Sequence, residues 1–173
     1  MGFALAEACA ERGAEVTLVA GPVSLKTHHP AIKRIDVESA GEMYQAAMTA
    51  FPSSDAAILC AAVADYRPEN ASEQKIKRET EGEMTLHLVP NPDIAASLGA
   101  IKREGQVMVG FALETNDEAT HAEGKLKRKN LDFIVLNSLR DQGAGFRCDT
   151  NKITIIDNAG RSEERRVGKE CRS

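Results

Sequence analysis

The groups in this chain that could do chemistry are Asp65, Lys75, Phe111, Lys125 and Lys129, with the backbone of Asn91-Pro92-Asp93-Ile94. Asp65 follows an unbroken apolar run, Ala57 to Val63, the composition expected of a buried parallel strand. An acid there lies at the carboxyl end of the strand, where open α/β sheets bind ligands. It could hold a ribose or a metal, or simply cap a turn. Arg67 to Gln74 is a polar, Pro- and Asn-containing loop that leads to Lys75-Ile76-Lys77-Arg78, three cations in four residues. Lys75 suits neutralisation of phosphate charge, although a solvated basic turn has the same composition. The N–H groups around Asn91 to Ile94 open a helix and offer an anion or base-edge site. Phe111, beside Gly110, could stack on a flat ring or pack in a core. Lys125 and Lys129, four apart, could meet one phosphate or line a wet helix face. Each pattern is weak by itself. Their convergence on one edge of one sheet is the stronger observation.

Helices and strands must alternate to bring these groups together. The pattern predicts a helix over Met1–Arg12 ended by Gly13, then strands over Glu15–Ala20 and Ile32–Val37. Ser39 and Glu42 form a capping-box pair ahead of a helix from Ala40 to Phe51. Met84–Val89 reads as a half-exposed strand carrying His87, and Asn91-Pro92-Asp93 as a helix start. Val107–Ala112 and Phe133–Leu136 read as buried strands, with a helix over Asp117–Lys129 between them and Lys152–Ile156 as a late hairpin arm. The expected fold is therefore α/β and Rossmann-like: a mostly parallel sheet, helices on both faces and a late β-hairpin. A chain entering such a fold at a helix implies a first strand and a Gly-rich turn ahead of Met1. One domain is expected over residues 1–160, and residues 161–173 read as a charged, non-native or disordered tail.

Composition removes several classes. At 173 residues with a formal net charge of −4, the chain gives no reason to expect broad nucleic-acid or membrane affinity. No apolar run approaches the ~20 residues of a membrane-spanning helix, and charges interrupt the N-terminal apolar stretch, so a cytoplasmic protein is expected. Cys9, Cys60, Cys148 and Cys171 are scattered without a CxxC pair and read as structural thiols, and His28-His29 as loop residues. A Walker-type loop is missing, as are GxSxG and any Cys/His pairing for nucleophilic catalysis. Gly21-Pro22 stands where a dinucleotide-binding strand would place an acid, which argues against a nicotinamide enzyme.

The segments AAVADYRP, QKIKR, VPNPDI, VGFALET, KLKRKNLDFIVLN and GAGFRCDTNKITII closely resemble phosphopantothenate–cysteine ligase, in order, over Met1 to about Gly160. The resemblance implies that 4′-phosphopantothenate, cysteine and CTP are joined through an acyl-cytidylate, with Mg²⁺ as cofactor. It implies CTP contacts from Leu59, Cys60, Ala61, Asn91, Pro92, Asp93 and Ile94. Asp65 matches the family's CTP-binding acid and Lys75 its essential lysine, while Phe111, Lys125 and Lys129 match further CTP contacts. Family members dimerise and are commonly fused to a phosphopantothenoylcysteine decarboxylase, the half that uses FMN and is absent here. They also carry an Asn-containing SNxSSGxMG stretch of which only Met1-Gly2 is present. The resemblance thus implies a fragment with most of the nucleotide half-site and an incomplete pantothenate side. A non-catalytic nucleotide-binding Rossmann-like module is the competing reading.

Overall fold

A computed structural model describes residues 1–70, 72, 74, 85–114, 124–138, 151–159 and 162–167. Helix α1 spans Gly2–Glu11, and Gly13 closes it at φ 91°, where the absence of a Cβ removes the usual strain. Strands β1 (Val16–Ala20) and β2 (Ile32–Asp36) pair in parallel. Helix α2 (Ala40–Ala50) starts at a capping box whose return bond is shifted by one residue, to Glu38. The Ser39 hydroxyl accepts from Glu42 N–H at 3.1 Å, and the Glu42 carboxylate accepts from Glu38 N–H at 2.9 Å. That backbone donor, together with the Ser39 hydroxyl, lowers the Glu42 pKa.

The larger sheet runs in the order β3 (Ala56–Leu59), β6 (Val107–Glu114), β7 (Phe133–Ser138), β8 (Asn151–Asp157), β9 (Ser162–Val167). The pairs β3–β6 and β6–β7 are parallel; β7–β8 and β8–β9 are antiparallel. Strands β4 (Tyr66–Pro68) and β5 (Leu88–Pro90) form a separate antiparallel ribbon. Helix α3 covers Ile94–Ile101, and the turn of helix at 124–128 is termed α4.

Three expectations need correction. The central apolar run does not stay a strand to Val63. Pairing stops at Leu59, and Ile58 is 40% exposed; among the described residues β3 is the outer strand of its sheet, bonded only to β6. Arg67 and Pro68, read as the start of a loop, instead form a strand with Tyr66 that pairs with Leu88–Pro90, with Arg67 opposite Val89. The charged end is not all tail: Ser162–Val167 adds β9 to β8. A strand rich in Glu and Arg suits a sheet edge, where charge discourages pairing with other chains.

The core lies on one face of the larger sheet. Met108, Ala112, Ile134, Leu136 and Ile156 alternate onto it and meet Leu98, Leu126, Leu131 and Phe51. Gln106 is buried yet satisfied, its amide nitrogen donating to Phe51 and Ser54 carbonyls at 3.0 and 2.6 Å. Asp132 ties the amino ends of β6 and β7 to the end of α3. One of its oxygens accepts from Met108 N–H at 2.7 Å, and both lie 3.0 Å from Lys102 Nζ. Gly99 lets α3 touch the chain after α4, because a Cβ there would stand 2.1 Å from the Lys129 carbonyl oxygen.

Two substitutions test this frame by denaturant unfolding. Asp132→Ala leaves the Met108 N–H without its acceptor and the mostly buried Lys102 ammonium without a counter-charge, with only the Asn130 carbonyl left to it, for an expected loss of about 2–3 kcal/mol. Gly99→Ala forces α3 off the Lys129 backbone at an expected cost of about 1–3 kcal/mol. Stability unchanged in either variant contradicts the contact it removes.

Candidate functional site

The candidate residues collect where strands end. Leu59 is the last residue of β3 and lies opposite Gly110, so Phe111 is the first β6 residue past the point where β3 departs. Phe111 is not at a strand end, as expected, since β6 continues to Glu114 against β7. It occupies a step in the sheet, with β3 pairing ended on one side and Val135 opposite it on the other. Cys60 and Ala61 follow Leu59 out of the sheet. Burial raises the Cys60 pKa, with the amino terminus opposing it, so the thiol is a poor nucleophile at neutral pH.

Asn91 fastens the departing chain. Its N–H donates to the Asp65 carbonyl at 2.7 Å, and its side-chain amide donates to the Ala64 carbonyl at 2.8 Å. Arg67 adds bonds to the Pro90 carbonyl at 2.9 Å and the Asn91 side-chain oxygen at 3.1 Å. The β4–β5 ribbon extends from this junction, leaving the Asp65 side chain exposed at its base. Arg67 had no signal of its own in the sequence, because its role depends on a partner 24 positions away.

The start of α3 is not an open anion site. Asp93 is its N-cap, and the carboxylate accepts from Ala96 N–H at 3.0 Å. Its second oxygen lies 3.0 Å from Lys129 Nζ. Burial works to raise the Asp93 pKa, but the Ala96 N–H and the Lys129 ammonium, aided by Arg128, outweigh it and lower it. The pair therefore persists on acidification until Asp93 protonates below the ordinary aspartate range.

Lys129 is held by its backbone. It donates to the Lys125 carbonyl at 3.0 Å, ending α4, and its own carbonyl abuts Gly99. Asn130 follows at φ 51° and donates from its side chain to the Gly99 carbonyl at 3.0 Å. Its identity after a basic helical run is the recognisable sign of a helix C′ residue. The pairing of Gly99 with it has no sequence signature.

The structure thus joins Leu59, Cys60 and Phe111 at the sheet step, Asp65 to Asn91, and Asp93 to Lys129. Pro92, exposed, and Ile94, packed against the core, complete the connection between the last two groups. Lys125 lies one helical turn before Lys129. Lys75 is outside the described residues. Among the described residues, no group of three or more His, Cys, Asp or Glu could hold a metal ion. No helix among them is long and apolar enough to cross a membrane.

Comparison with known proteins agrees with this fold. Residues 1–171 match the family described as the DNA/pantothenate metabolism flavoprotein C-terminal domain. The chain is 59% identical, over 92% of its length and 44% of the relative's, to a cysteine/cysteine sulfinic acid decarboxylase of an unknown prokaryotic organism. It is 51% identical, over 90% of its length and 39% of the relative's, to the coenzyme A biosynthesis bifunctional protein CoaBC of Vibrio parahaemolyticus serotype O3:K6. The chain spans about two fifths of the length of these curated relatives. A crystal structure of the C-terminal domain of a CoaBC protein superposes with a TM-score of 0.76 at 32% identity, covering 95% of this chain and 71% of that one. By sequence and by fold, this chain belongs to the family of DNA/pantothenate metabolism flavoprotein C-terminal domains.

Proposed function

We propose that this chain is the nucleotide-binding part of a CTP-dependent phosphopantothenate–cysteine ligase. The observation that carries the reading is the convergence of Asp65, Asn91, Asp93 and Lys129 on one pair of linked strand and helix ends, in a chain 32% identical to the C-terminal domain of CoaBC. The relative named as a decarboxylase is more than twice as long as the stretch matched, so its name does not assign this part.

In the proposed reaction a carboxylate oxygen of 4′-phosphopantothenate attacks the α-phosphorus of CTP. The bond to the bridging oxygen breaks, and pyrophosphate leaves. The cysteine amine then attacks the acyl carbon, loses a proton and displaces CMP. The two reactants are anions that repel each other, so the protein's task is to offset charge and fix geometry. Lys75, Lys125 and Lys129 supply positive charge to the triphosphate, and Phe111 at the sheet step offers a face for the base. Leu59 to Ala61 and Asn91 to Ile94 bring backbone groups to the nucleotide. Asp65 is placed to accept from the ribose or to meet the metal. Mg²⁺, when bound with the nucleotide, would offset phosphate charge, and Asp65 is the residue that would meet it.

The pantothenate side needs a further element. Strands β1 and β3 are each bonded on a single edge among the described residues, and a Cβ on Gly2, at the start of α1, would lie 3.1 Å from Cys60 Sγ. We infer that a further strand, added beside one of those edges, would complete this side of the site. In solution we take the protein to be cytoplasmic and dimeric, working with a decarboxylase partner.

Calorimetric titration with CTP and with ATP, each with Mg²⁺, tests the reading. Saturable binding that favours CTP is expected, weakened roughly tenfold or more by Lys75→Gln and unaffected by Lys26→Gln. Extending the chain upstream with a strand and Gly-rich turn should give pyrophosphate release that depends on CTP and 4′-phosphopantothenate, followed by CMP release when cysteine is added. Equal affinity for both nucleotides, or equal behaviour of the two lysine variants, contradicts the assignment.

A further inference from the structure

Asp93 makes the two contacts that a phosphate oxygen would seek at the start of α3. It accepts from a first-turn N–H, that of Ala96, and it pairs with a lysine ammonium, that of Lys129. The two partners differ in freedom. The Lys129 backbone is pinned against Gly99, while its side chain, 24% exposed, carries the ammonium on a flexible four-carbon stem. The Asp93 side chain is 48% exposed and carries the helix cap on a single oxygen. The cap bond keeps the Asp93 carboxylate in place, while the lysine stem lets the ammonium swing from it to a nearby phosphate oxygen.

We propose that Asp93 is a positioning residue that holds the Lys129 ammonium in the nucleotide-free chain and yields it to the incoming polyphosphate. This rests on the nucleotide reading above and adds a role that the nucleotide contacts alone do not contain. Asp93 preforms the cationic end of the site by acting as a stand-in anion. It also sets the site's affinity, since every bound polyphosphate must displace a charge-assisted bond. The opposite arrangement would have Asp93 and Lys129 stay paired, with the carboxylate as a permanent brace.

Asp93→Asn separates the two. Asparagine caps a helix about as well as aspartate and keeps the size, but it carries no charge for Lys129. Calorimetry with inorganic triphosphate and with Mg²⁺-CTP on this chain is expected to show binding tightened roughly two- to fivefold in Asp93→Asn. Lys129→Gln should weaken both ligands, and thermal unfolding of Asp93→Asn should stay near that of the parent. NMR titration of the Asp93 carboxyl carbon supplies a readout independent of affinity. Its midpoint, set by Lys129 and Arg128 from α4 and by the Ala96 N–H, should rise in Lys129→Gln and when triphosphate saturates the chain. Weaker or unchanged binding in Asp93→Asn overturns the proposal, as does a midpoint that ignores Lys129→Gln. Triphosphate bound in the expected order without any preference for CTP leaves the role of Asp93 standing and removes the nucleotide reading instead. Failure of all variants to bind either ligand overturns both.

Discussion

The contact on which the rest of this structure depends is the Asp132 carboxylate. It stands at the amino end of β7, takes the Met108 N–H of β6, and holds Lys102 at the end of α3. Its own N–H donates to the Met108 carbonyl at 2.9 Å, and Lys102 also donates to the Asn130 carbonyl at 2.9 Å. One acid therefore sets two parallel strands and one helix at a fixed spacing. The cost of partly desolvating it is offset because its acceptor capacity is met by directed donors. The core behind it, from Leu98 to Ile134, packs only because α3 and the sheet are held in that relation.

From that anchor the geometry propagates toward the opposite end of the strands. Gly99 and Asn130 zip α3 to the chain leaving α4, and Lys129 is thereby aimed along α3 to its first turn at Asp93. Asn91, just ahead of α3, fixes the chain leaving β3 through Ala64 and Asp65. Supporting contacts at the amino edge and candidate ligand groups at the carboxyl edge divide the sheet between stability and function, as open α/β sheets generally do.

Much of the frame was legible in the chain. The Ser39–Glu42 capping box, Gly13 at a helix end, the Asp93 helix start and the strands at Val16, Ile32, Val107 and Phe133 each have local causes. The misreadings have non-local causes. Ala57 to Val63 has the composition of a covered strand, but apolarity does not say how many neighbours a strand has, and among the described residues β3 has one. Tyr66–Pro68 carries loop residues yet becomes a strand because Leu88–Pro90 lies beside it. Ser162–Val167 has no hydrophobic alternation, and its pairing with β8 depends on the register of that strand.

The same division holds for the site. The sequence by itself determined which groups could act: an acid at a strand end, an aromatic after glycine, an Asn-Pro-Asp helix start and two lysines one turn apart. Residue type and short spacing carry that information, because caps, turns and i,i+4 neighbours are settled within a few bonds. Only the tertiary structure decided that Asp93 is bound to Lys129 rather than open to solvent, and that Asn91 holds Asp65. It alone set Phe111 in a step of the sheet. Those relations join residues more than twenty positions apart through Gly99, Asn130 and the ends of paired strands, and such closeness arises from packing, which no local pattern encodes.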